Sequence, residues 1–129
     1  MPTLFTQIIR GEIPCHKIAE DDDFLAFLDI SPLREGHTLV VPKIETDYIF
    51  EQSDEVLAKM LPFCKMVADK IEKVISCQRI GIAVIGLEVP HAHIHLVPID
   101  TADDLNFTRP KLQFTSEELA TVAARISAA

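Results

Sequence analysis

Three of the chain's five histidines stand at alternate positions in the segment "VPHAHIHLVPI" (residues 89–99), as His91, His93 and His95. Imidazole is the side chain whose ordinary pKa, near 6.5, leaves a neutral, nucleophilic nitrogen available around pH 7. Three chemistries suit such a row. It can be the polar, solvent-facing side of a strand. It can bind a metal, but four residues of strand separate the Cα atoms of His91 and His95 by roughly 13 Å at ~3.3 Å per residue. Neighbouring pairs could then chelate one ion, while all three on one ion would be strained. Or it can do phosphate chemistry. One ring attacks phosphorus and forms an N–P bond that water later cleaves. Its neighbours donate hydrogen bonds to the oxygens that gain charge. A central histidine flanked on both sides fits that division of labour and needs no metal.

The elements that must hold these residues follow from periodicity. On a strand, side chains alternate faces, so His91, His93 and His95 are expected on one face, with Ala92, Ile94 and Leu96 on the core face. "TLFTQIIRGEIP" reads as a short helix stopped near Gly11 and Pro14. "CHKIAEDDDFLAFLDI" reads as a hairpin about the acidic turn at Asp21, Asp22 and Asp23. "ISPLREG" is a loop, broken by Pro32 and Gly36, and "HTLVVP" a strand. Residues 53–76 carry the clearest helical pattern, with apolar positions from Leu57 through Met60, Cys64, Val67 and Ile71 to Ile75. Ser53 is the expected N-cap, and Pro62 is expected to kink the helix. "RIGIAVIG" and "VPHAHIHLVPI" read as two further strands, and "TADDLNFTRPK" as loop. "TSEELATVAARISAA" opens on a capping box from Thr115 and Glu118 and continues as a helix. The expected fold class is α+β: a mostly antiparallel sheet of about five strands with one long helix and two shorter ones.

Composition narrows the partners. A chain of 129 residues, 48% hydrophobic and 25% charged, is expected to fold as one domain over residues 1–129. A net charge of −8 argues against nucleic acid or an anionic membrane surface as partner, since both recruit clustered Lys and Arg. It does not argue against a small phosphorylated ligand in a locally positive pocket. Cys15, Cys64 and Cys77 are odd in number and widely spaced, which indicates a reducing compartment, and Cys64 falls on the apolar helical stripe. The first twelve residues lack a secretory apolar core, and the longest apolar run, "IGIAVIGL", falls far short of the about 20 residues of a membrane span. A cytoplasmic protein is expected.

The motif does not stand alone. "HAHIH" followed by "LVP", together with "GEIP", "FLDISP" and "GHTLVVPK" at the appropriate distances, resembles the histidine-triad (HIT) family of nucleotide-binding proteins, in its Hint-like branch. The resemblance runs from about Leu4 to Ile99. It implies a hydrolase or transferase acting at the α-phosphorus of a purine nucleotide conjugate, either a nucleoside phosphoramidate or a dinucleoside polyphosphate. His93 would carry the nucleotidyl group, His95 would contact phosphate oxygens, and His91 would orient His93, largely through its backbone carbonyl. His37 would lie near the phosphates. Asp29 would bind ribose hydroxyls with Ile30 beside it, and Leu4, Phe5, Ile8, Phe27 and Leu28 would sandwich the base. Without the resemblance, these apolar residues read as core and Asp29 as a loop-start residue. The resemblance also implies a homodimer and no cofactor.

Two departures from the family pattern stand out. Where relatives carry Gly-Gln-Ser or Gly-Gln-Thr, this chain has Gly86, Leu87 and Glu88. The carboxylate of Glu88 would repel a phosphate unless protonated or turned away, and would suit a cationic leaving amine or a general acid. Thr3 and Thr6 stand where zinc-carrying relatives have Cys-x-x-Cys, so no structural zinc is expected. The altered segment also allows a second function, a nucleotide-binding regulatory module with little or no catalysis.

Overall fold

Local signals in the sequence account for most of the elements. The computed structural model describes residues 2–129. Helix α1 is Leu4–Ile9, α2 is Asp54–Val74 and α3 is Ser116–Ser127. Strands β1 to β5 are Lys17–Glu20, Phe24–Leu28, Thr38–Pro42, Arg79–Ala83 and Ile94–Ile99. The Ser53 side chain accepts from the Val56 amide and caps α2, and Asp54 and Glu55 in its first turn meet the positive end of the helix dipole. The helix continues through Pro62 for 21 residues. Thr115 and Glu118 close a reciprocal capping box on α3. A short 3-10 turn at Ala102–Leu105, boxed by Thr101 and Asp104, orders part of what reads in sequence as plain loop.

The five strands form one antiparallel sheet in the order β1-β2-β3-β5-β4. Both faces are covered, which is why β2 and β3 are buried at every position rather than at alternate ones. On one face Phe24, Ala26, Leu28, Val40, Ile94 and Leu96 meet Met60, Phe63, Cys64, Val67 and Ile71 of α2 and Leu119, Ala123 and Ile126 of α3. The other face presents Leu25, Phe27, Leu39 and Val41 to Phe5 of α1. His95 alternates with Ile94 and Leu96, so it emerges on this second, thinly covered face. No helix of the described residues is long and apolar enough to cross a membrane.

Two strand expectations are corrected. β4 ends at Ala83 and β5 begins only at Ile94, so the intervening residues 84–93 are irregular. His91 and His93 therefore precede the ladder, and the three histidines do not form a row on one strand face. Residue 92 hydrogen-bonds outside the sheet, its amide donating to the Thr46 carbonyl at 2.6 Å. Ala92 still joins the core with Ile94 and Leu96, as the alternation requires.

Candidate functional site

Asp29 and His37 follow from the β2–β3 pairing. Leu28 lies opposite Thr38 in the register, so the next residues out, 29 and 37, face each other, and the Asp29 amide donates to the His37 carbonyl at 3.0 Å. The connecting loop doubles back through Gly36, whose φ of +94° lies in the left-handed region. Its absent side chain lets Ile75, Pro98 and Ile71 approach. The Asp29 carboxylate accepts from the Ser31 amide at 2.8 Å and lies 3.6 Å from His37 Nε2.

The proton positions on three rings follow from partners that have only one role. The Leu33 amide donates to His37 Nδ1 at 3.0 Å, so in the neutral ring the proton is on Nε2. That Nε2–H points at His95 Nδ1, 3.0 Å away, which makes Nδ1 an acceptor and leaves the His95 proton on Nε2. His93 Nδ1 faces the His91 carbonyl at 2.8 Å. A carbonyl only accepts, so Nδ1 carries the proton and the neutral ring keeps its lone pair on Nε2. The geometry thus separates one ring with a free lone pair, His93, from a neighbour with an outward N–H, His95, their centroids 5.0 Å apart.

Burial holds the donors neutral. His37 is 1% exposed and His95 8%. Loss of hydration, then repulsion from the neighbouring histidine and Lys111, pushes His37 down to about 3 and His95 down to about 4. Burial also raises the Asp29 carboxyl, against the opposing hydrogen bond from the Ser31 amide.

Asp29, His37 and His95 each place a donor atom within 4.8 Å of the other two, close enough to raise the question of a cation. Hydrogen bonding opposes it. His37 Nδ1 is already engaged by the Leu33 amide, so a cation at Nε2 would have to strip the remaining ring proton. The cluster offers an N–H towards a ligand, which suits an anionic oxygen.

These groups line a cavity of about 510 Å³. Leu4, Phe5 and Ile8 reach it from α1, Phe27 and Leu28 from β2, and Ile30 from the loop beyond Asp29. Glu88 lines it from the irregular segment, while His37, His93 and His95 form its polar end. His91 is the one predicted site residue outside the cavity lining. Its ring is fully buried and turned to Thr3 and to the Pro42 carbonyl, and it reaches His93 through its own backbone carbonyl. Phe5 meets both rings edge-on, with centroids 5.8 Å from His91 and 5.0 Å from His93. Phe107 and Lys111 are lining residues that sequence reasoning missed. The Phe107 ring packs 4.7 Å from His95, and Lys111 is the one lysine or arginine lining the cavity among the described residues. A lone aromatic and a lone lysine in a turn-rich stretch carry no spacing signal that would have marked them.

Known proteins resemble this chain over nearly its whole length. A profile of the HIT domain matches residues 10–102. An uncharacterized HIT-like protein of Borreliella burgdorferi is 35% identical over 132 residues, covering 96% of this chain and 95% of that protein. The adenosine 5'-monophosphoramidase of Schizosaccharomyces pombe is 36% identical over 130 residues, covering 98% and 97%. A crystal structure of a HIT-like protein from Bartonella henselae superposes with a TM-score of 0.84 at 28% identity, over 98% of this chain and 95% of that one. With the profile match over most of its length and relatives 35% and 36% identical across nearly the whole chain, this protein belongs to the HIT-domain family.

Proposed function

We propose that this protein is a nucleotidyl hydrolase or transferase of the histidine-triad type, acting on the α-phosphorus of a purine nucleotide conjugate. His93 Nε2 attacks phosphorus, an N–P bond forms, and the P–N or P–O bond to the leaving group breaks as that group takes up a proton. Water then cleaves the N–P bond, releasing a nucleoside 5'-monophosphate and restoring the ring. The observation that carries the reading is the 2.8 Å hydrogen bond from His93 Nδ1–H to the His91 carbonyl, which leaves the Nε2 lone pair on a ring lining the cavity. His95 Nε2–H, its tautomer set by His37, is the donor for phosphate oxygens. Asp29 takes ribose hydroxyls, and the apolar wall from Leu4, Phe5, Ile8, Phe27 and Leu28 takes the base. The similarity to an adenosine 5'-monophosphoramidase over nearly the whole chain supports a phosphoramidate as substrate.

The test is incubation with adenosine 5'-phosphoramidate, with mass spectrometry of protein quenched during turnover. The expected result is turnover, an AMP adduct on His93, and loss of both in His93→Ala. A wild-type protein that turns nothing over, or a His93→Ala variant as active as wild type, overturns the reading.

A homodimer is the proposed assembly. β4 closes one side of the sheet, and Ile82 on it and Val84 just beyond it are exposed apolar residues a second copy would cover. Sedimentation velocity at micromolar concentration tests this, and a monomer would refute it. The proposed location is the cytoplasm, where Cys15, Cys64 and Cys77 would remain free thiols.

A further inference from the structure

The first histidine of the motif lies outside the cavity, yet it is fully buried and both ring nitrogens are satisfied. Its partners come from two distant parts of the chain. His91 Nε2 faces the Pro42 carbonyl at 2.8 Å and so carries the proton. Its Nδ1 then holds a lone pair and needs a donor. Two hydroxyls are near: Thr3 Oγ1 at 2.8 Å and Thr6 Oγ1 at 3.4 Å. Glu45 decides between them. Its Oε1 lies 2.6 Å from Thr6 Oγ1, so the single Thr6 proton goes to the carboxylate. The same oxygen also accepts from the Thr3 amide at 2.9 Å. The Thr6 amide donates to Thr3 Oγ1 at 3.0 Å, which fills an acceptor position on that hydroxyl and leaves its proton to point at His91. Thr6 Oγ1 also lies 3.2 Å from Thr3 Oγ1, but the His91 lone pair at 2.8 Å is the closer acceptor for the Thr3 proton.

We propose that Thr3, Thr6 and Glu45 are positioning residues for the reaction, locking the tautomer and orientation of the His91 ring so that its carbonyl holds His93 with the proton on Nδ1 and the lone pair on Nε2. None of the three lines the wall formed by the catalytic histidines. They act through the backbone of residues 91–93, which has no ladder partner of its own before Ile94. In place of sheet hydrogen bonds, that segment is tied by the His91 amide to the Val89 carbonyl at 2.8 Å and by the Ala92 amide to Thr46, the residue next to Glu45. The α1 N-terminus and the loop after β3 therefore hold the segment that carries the nucleophile. The Thr3 amide and Thr6 hydroxyl hold the Glu45 carboxyl below its ordinary range, so it remains the charged acceptor this arrangement needs.

The consequence for rate rests on the function proposed above; the consequence for tautomers does not. Two-bond 1H–15N spectra of the histidine rings are expected to show His91 as the Nε2–H form and His93 as the Nδ1–H form in wild type. In Thr3→Val the donor to His91 is lost, and the His93 signals are expected to shift to a mixture of both tautomers. With adenosine 5'-phosphoramidate, kcat should fall about tenfold and by more than KM rises, because Thr3 itself does not line the cavity and its loss reaches the base wall only through the α1 cap. Thr3→Ser keeps both the hydroxyl and the helix cap, and should restore spectrum and kcat. Should Thr3→Val fail to fold, Glu45→Ala serves: it frees the Thr6 hydroxyl to compete for His91, and should broaden the same signals and lower kcat severalfold. Unchanged His91 and His93 tautomers in whichever variant folds overturn the proposal, as does a loss confined to KM. A wild-type protein with the expected tautomers but no turnover would defeat the hydrolase reading alone.

Discussion

Replacing His37 with Gln should flatten the acid limb of the stability curve by an amount the burial sets. An exposed histidine titrates near 6.5, while folded His37 titrates at about 3 and His95 at about 4. Both are lowered, so below pH 6.5 the unfolded chain binds protons that the folded chain refuses. The stability of each neutral buried ring is fully present above pH 6.5 and is lost as pH falls from there towards 3 to 4. At pH 5 the gap is about 1.5 pH units per ring, or about 2 kcal/mol at about 1.36 kcal/mol per unit. Two such rings give about 4 kcal/mol between pH 8 and pH 5, a large share of the stability of an ordinary domain. His37→Gln keeps an acceptor for the Leu33 amide and a donor for His95 but does not titrate, so its loss over the same interval should be about 2 kcal/mol. Asp29, whose carboxyl burial pushes up, acts in the opposite sense and is common to both proteins. Urea unfolding at pH 8 and pH 5, followed by circular dichroism, reads the difference. With a slope of about 2 kcal/mol/M, the midpoint should fall about 1 M further in wild type than in the variant. Parallel losses in the two proteins would show that His37 is not held neutral, and would remove the basis for the proton placement on His95.

Other perturbations follow from the packing. Gly36→Ala forces a side chain at φ +94°, with its Cβ 3.0 Å from Ile75 Cγ1 and 3.3 Å from Pro98 Cγ. Strain and overpacking together should cost about 2–4 kcal/mol, and because His37 is the next residue, nucleotide affinity by calorimetry should drop as well. Ile71→Ala empties a fully buried position between α2 and the sheet, and should cost about 2–5 kcal/mol in urea unfolding without altering KM. Phe107→Ala opens His95 to water, so the ring should titrate above its present value of about 4, as histidine proton shifts would report. Lys111→Ala removes the one lysine or arginine lining the cavity among the described residues, and AMP binding should weaken severalfold with a shallower dependence on salt.

Where a local rule was sufficient, the sequence was legible. The 3.6 period and the Ser53 cap placed α2, the threonine–glutamate box placed α3, and the acidic turn between apolar runs placed the β1–β2 hairpin. The pairing of Asp29 with His37 was within reach as well, since both flank a loop joining antiparallel neighbours. The motif "HAHIH", with "FLDISP" and "GHTLVVPK" at their distances, pointed to the HIT family, and the profile match over residues 10–102 bears that out. The direction of the His91 ring was not legible. Alternation binds side chains to faces only inside a ladder, and the ladder starts at Ile94.

What the sequence alone determined is the helices, the β1–β2 hairpin and the fold class, because capping, periodicity and turn chemistry act over a few neighbouring residues. What only the tertiary structure decided is which histidine nitrogen holds a proton and which residues close the cavity. Those depend on partners brought from far along the chain: the Pro42 carbonyl and Thr3 hydroxyl on His91, the His37 ring, itself fixed by the Leu33 amide, on His95, and Phe107 folded back against it. A proton's location is set by the nearest group that can only donate or only accept, and no spacing within one segment specifies that neighbour.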